Sequence, residues 1–169
     1  MATVAKLLQD GQLIHIEIEI ENSAGPWRHL YALPDAEHQP TFLRRWLEET
    51  LPTLPTSIGA EDTPEEQLYG LLELYADGQI LNFGDMYKPL HPRGQGVWEF
   101  RTLDVRMFGW FACKDCFIGV FADDATRIHK YGLYAGYLNE IVRLRSALDI
   151  DEPKFVAGED PNDLISLRP

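Results

Sequence analysis

Polar and apolar residues alternate most regularly near the start of the chain. In QLIHIEIEIEN (12–22), Ile14, Ile16, Ile18 and Ile20 fall on one face, and His15, Glu17, Glu19 and Glu21 on the other. Period two over that length predicts a strand with one buried and one wet face, ended by the Gly25-Pro26 pair. The period then lengthens. TFLRRWLEETL (41–51), held between Pro40 and Pro52, spaces Phe42, Trp46 and Leu43, Leu47 as a short amphipathic helix does. At TPEE, Thr63 suits an N-cap, Pro64 the first helical position and Glu66 the third, so a capping box is predicted. Leu68, Leu71, Leu72 and Tyr75 form that helix's apolar stripe, and Gly78 marks its end.

LNFGDMYKPLHPRGQG (81–96) has the Gly and Pro content of a loop. Three strands are predicted next, over 97–102, 105–112 and 116–122, and connections this short favour antiparallel hairpins. LYAGYLNEIVRLRSALD (133–149) predicts a last helix, with Tyr134, Tyr137, Leu138, Ile141 and Leu144 on one side. Residues 149–169 lack periodicity and are acidic and Pro-containing, the pattern of an extended tail, either docked or mobile. The expectation is therefore one α+β domain over 1–148, with a mostly antiparallel sheet and helices packed on one face, followed by the tail.

Composition narrows the partners. The 169 residues are 45% hydrophobic, enough for one sizeable core. No run of about 18 apolar residues exists, so no membrane partner is expected. The start has no apolar signal region, and two cysteines are too few for a disulfide framework, which together predict a cytoplasmic location. The net charge of -12 argues against nonspecific nucleic-acid binding. Yet charge is sorted. Residues 1–85 hold four Lys/Arg against fifteen Asp/Glu, whereas 86–147 hold nine against six. The middle of the chain is where an anion would be met.

That middle segment carries a resemblance. Trp98-Glu99-Phe100-Arg101, then Arg106 leading the aromatic strand of Phe108, Trp110 and Phe111, resembles the RelE/HigB-type toxin superfamily, particularly its phage-related HigB-like branch. The likeness covers roughly residues 80–147 well, and the earlier elements by order only. It implies a RelE-like fold and an endoribonuclease of the mRNA interferase type, needing no cofactor or metal. Cleavage would proceed by attack of the neighbouring 2′-hydroxyl, with Arg, Lys and His side chains holding the phosphate. A cognate antitoxin protein, RNA and the ribosome are the partners implied.

The residues themselves allow this chemistry and also blander roles. Arg101 and Arg106, facing each other across a tight turn, suit a phosphate clamp; alternatively Arg101 pairs with Glu99 or Asp104, contributing under about 1 kcal/mol. In RIHKYG, His129 can exchange protons near neutral pH, Lys130 can neutralise phosphate and Tyr131 can stack on a base. The same residues equally describe a surface turn. Lys88, His91 and Arg93 lie on the loop before the first arginine strand and are read as substrate contacts, although Pro89 and Pro92 already account for a stiff connector. CKDC (113–116) places two cysteines across a hairpin turn. Zinc would want further ligands and a thioredoxin-type site a helix N-terminus, so neither role is assigned. The alternative function is a noncatalytic protein-interaction module on the same scaffold. A further expectation is that the acidic tail lies over the basic middle segment and blocks it.

Overall fold

The structure, a computed structural model, describes residues 1–21 and 24–169. Asn22, the final position of the predicted first strand, lies outside the described residues. In chain order the elements are α1 (Val4–Gln9), β1 (Ile14–His15), β2 (His29–Ala32), α2 (Leu43–Arg45), α3 (Pro64–Ala76), β3 (Tyr87–Pro89), β4 (Trp98–Arg101), β5 (Val105–Cys113), β6 (Cys116–Asp124), α4 (Ala125–Tyr131), α5 (Tyr134–Ala147) and α6 (Pro161–Leu164). The α2 helix runs on through a π turn at Trp46–Thr50 and a 3-10 turn at Leu51–Thr53.

Six strands form one sheet in the order β1-β2-β6-β5-β4-β3. The predicted α+β class holds, but the sheet is mixed, not mostly antiparallel. β2 runs parallel to β6, with His29 opposite Cys116 and Ala32 opposite Gly119. Parallel neighbours need a long connection, and the stretch carrying α2, α3 and the meander supplies it. Among the described residues of the long alternating segment, Ile14 and His15 form the strand, paired with Ala32 and Tyr31, and Ile16 N–H adds a bond to the Leu30 carbonyl. Alternation still sorts that segment: Ile16 is buried and Ile18 partly so, while Glu17 and Glu19 are exposed.

Helices cover both faces of the sheet, not one. On the first face α2 and α3 bring Leu43, Trp46, Leu68 and Leu72 against Trp98, Phe100, Met107 and Phe117. On the second, α1, α4 and α5 bring Leu7, Ile128, Leu138 and Ile141 against Phe108, Trp110, Ile118 and Val120. The reason lies in VRMFGWF: odd and even positions are both apolar, so neither face of β5 can be left in water. Gly109 lets β5 and β6 approach where the register shifts. A Cβ there would stand 1.9 Å from the Ile118 carbonyl oxygen.

The capping box at the start of α3 is present, with Glu66 N–H donating to Thr63 Oγ1 at 3.1 Å. RIHKYG is not a turn. It ends α4, which Asp124 caps at its N-terminus and Gly132, at φ 60°, closes. Of the two states the sequence left open for residues 149–169, docked or mobile, the structure shows the docked one. Val156 N–H donates to the Phe111 carbonyl, Trp110 Nε1 donates to Lys154 O at 3.1 Å, and Leu164 and Ile165 join the first core. Among the described residues no helix is long and apolar enough to cross a membrane.

Candidate functional site

Strand register brings the charged residues of the middle segment to one place. β3 pairs antiparallel with β4, setting Lys88 opposite Glu99, and β4 pairs with β5, setting Arg101 opposite Arg106. Alternation turns Trp98 and Phe100 into the first core, so Glu99 and Arg101 point to the other face, where α4 and α5 lie. Helix α4 contributes His129 and α5 contributes Tyr134, their rings edge to face at 5.5 Å. Together with His91 from the β3–β4 connection, these groups line a cavity of about 310 Å³.

Glu99 organises its floor. The carboxylate is 1% exposed, and its Oε1 lies 3.7 Å from Lys88 Nζ and 3.4 Å from Arg101 Nε. The Arg101 contact is ionic without being a directed hydrogen bond, since Arg101 Nε has no hydrogen-bond acceptor. Glu99 Oε2 has no donor either. Burial pushes the Glu99 carboxyl pKa up, and the charges of Arg101, Arg106 and Lys88 oppose that rise. Two cations facing one buried carboxylate leave the cavity positive, and unused polar atoms there are capacity for a ligand.

Of the eight residues singled out from sequence, Lys88, His91, Arg101 and His129 share this cavity. The other four stand outside its lining. Arg106 is 6% exposed and donates through Nη1 to the carbonyls of Thr102 and Val105, so its guanidinium braces the β4–β5 turn. Lys130 and Tyr131 point to solvent, the ammonium 5.4 Å from the ring centroid. Arg93 is exposed and pairs with Glu159 at 3.3 Å. Asp104, considered as a partner for Arg101, is instead held by Ser57 and Gln67. Glu99 and Tyr134 were not counted among the site residues. Glu99 was legible from its shared face with Arg101; Tyr134 had no signal beyond its place on the α5 stripe.

Among the described residues no group of three or more His, Cys, Asp or Glu side chains is placed to hold a metal ion. The acidic residues beyond 148 do not line the cavity, although their segment does pack against the basic middle one: Glu159 reaches Arg93, Phe155 lies against the Arg145 guanidinium, and Asp149 pairs with the N-terminal ammonium. Fold and cavity thus define an α+β protein with a small cationic cavity between sheet and helices. No family model, curated protein or solved structure matches the chain.

Proposed function

We propose that the chain is an endoribonuclease of the kind its sequence resembles, cleaving RNA by 2′-hydroxyl attack in the cavity between β3, β4, α4 and α5. The observation that carries this reading is the convergence of two imidazoles, His91 and His129, with Lys88 and Arg101 on one solvent-reachable hollow. Such a set suits phosphodiester transesterification. One imidazole takes the proton of the 2′-hydroxyl as its oxygen bonds to phosphorus. The other gives a proton to the departing 5′-oxygen, leaving a 2′,3′-cyclic phosphate. Arg101 and Lys88 offset the charge that grows on the phosphoryl oxygens. In this reading Arg93 and Tyr131 are outlying contacts for a longer strand, the ribosome presents the RNA, and an antitoxin protein covers the hollow.

One observation favours the second reading, a noncatalytic interaction module. Glu99 already engages both Lys88 and Arg101, as a purely structural cluster would.

The test is cleavage of a short RNA by the purified chain, with and without ribosomes. Cyclic phosphate ends should appear and vanish when the nucleotide 5′ to the cut lacks its 2′-hydroxyl. Arg101→Ala and His129→Ala should each lower the rate by roughly 10²-fold or more, with Lys130→Ala within a few fold. Absence of cleavage under both conditions removes the enzyme reading, and cleavage of the deoxy substrate removes the mechanism.

A further inference from the structure

Cys113 and Cys116 close the β5–β6 hairpin, facing each other across the two-residue turn of Lys114 and Asp115. Both are free thiols; Cys113 is exposed and Cys116 half-buried. Directly opposed residues on antiparallel strands have Cα atoms about 4.5–5.5 Å apart, inside the span a disulfide bridges. The turn is held from three sides. His29 N–H donates to the Asp115 carbonyl at 2.7 Å, Asp115 N–H donates to the Leu164 carbonyl at 2.8 Å, and Ser166 N–H donates to Asp115 Oδ1 at 2.7 Å. Asp115 keeps a φ of 64° within this clamp. The two sulfurs are therefore presented to each other before any bond forms, which removes most of the entropic cost of closing the ring.

We propose that Cys113 and Cys116 form a reversible dithiol–disulfide site that takes oxidising equivalents from a low-molecular-weight disulfide of the glutathione class. The Cys113 thiolate attacks one sulfur of that disulfide, breaking its S–S bond and releasing one thiolate. Cys116, on losing its proton, attacks Cys113 Sγ in the mixed disulfide and expels the second. Two protein thiols thereby give up two electrons and two protons, and one small disulfide becomes two thiols. Cys113 is the entry point. It is the exposed partner, and it borders an open cavity of about 390 Å³ lined also by Lys114 and Phe155, with room for the departing molecule. A hydrogen bond from Cys116 lowers the Cys113 pKa to about 7, and the same bond raises that of Cys116. The resulting ring encloses only Lys114 and Asp115 at an exposed hairpin end, and exposed disulfides of this sort are the labile ones.

The site does not depend on the nuclease reading, and its test uses no RNA. The intact chain is equilibrated across reduced and oxidised glutathione ratios, acid-quenched, alkylated and mapped by mass spectrometry. Both thiols should disappear together within a monomer and return under a dithiol reductant. Cys116→Ser should instead accumulate glutathione on Cys113. The wild-type oxidation rate should fall roughly tenfold per pH unit below the Cys113 pKa. Thiols that stay alkylatable in the most oxidising buffer would overturn the proposal. So would glutathione adducts that persist on the wild type without ring closure, or disulfides linking separate chains.

Discussion

Two buried charges show how much a residue's role depends on what surrounds it. Glu99 is held from water with its pKa raised, so just above the ordinary carboxyl value the folded chain binds a proton there more often than the unfolded chain does. Between the ordinary carboxyl value of 4.5 and the raised one, the native state binds more protons, and stability falls as pH rises through that window. Glu99→Gln should abolish this contribution, flattening a plot of denaturation midpoint against pH just above 4.5. An unchanged slope would mean that the carboxyl titrates alike in both states. Arg28 is the opposite case, 1% exposed and saturated. Its guanidinium donates to the carbonyls of Ser166 (2.9 Å), Tyr75 (3.1 Å) and Gln79 (2.8 Å), tying the end of the chain to α3. Arg28→Ala removes all three donors, leaving among the described residues only the Tyr75 carbonyl with another partner, the Gly78 N–H. It should cost about 3 kcal/mol, lowering Tm by roughly 6–12 °C in a scanning melt. In the sequence Arg28 was one of four cations in an acidic stretch, with nothing to distinguish it.

At the scale of elements, legibility followed length and capping. Helix α3 carried its own start signal, and Thr63→Ala should cost about 1 kcal/mol in urea unfolding with no change in the slope. Helix α5 and strands β4, β5 and β6 were also recognisable within a residue or two. What escaped was short: α1, β2, β3, α4 and α6 have between three and seven residues each. Elements that small carry too few turns or alternations to stand above their surroundings, and their stability comes from packing. Ile128 in α4 is fully buried against the second core, which is why RIHKYG is helical where its composition suggested a turn. All three of His129, Lys130 and Tyr131 stay exposed on α4, but His129 borders the cavity and meets the Tyr134 ring while the other two do not line it.

For the whole molecule, the C-terminal segment, which the sequence left either docked or mobile, is part of the fold. Leu164 is fully buried and Ile165 nearly so, each contributing about 1.5–3 kcal/mol by burial. Phe155 lies 3.8 Å from the Arg145 guanidinium, and Ser166 bonds to Asp115. A chain ending at Leu148 should therefore lose a large part of a stability that totals about 5–15 kcal/mol. The measurable outcome is a strongly lowered melting transition or loss of near-ultraviolet dichroism. A truncated chain that melts like the full one would mean that this docking contributes little.

The amino-acid order alone determined the α+β class, the three-strand meander, two principal helices and the side of β4 that carries Glu99 and Arg101. These follow from periodicity and caps, which act between residues close in the chain. Only the tertiary structure decided that β2 lies parallel to β6, that helices cover both sheet faces, and that the last residues complete the core. It alone separated Arg101, which lines the cavity, from Arg106, which does not and whose Nη1 holds the carbonyls of the β4–β5 turn. Those outcomes depend on contacts between residues far apart in the chain, where burial and unpaired polar groups weigh more than any local preference.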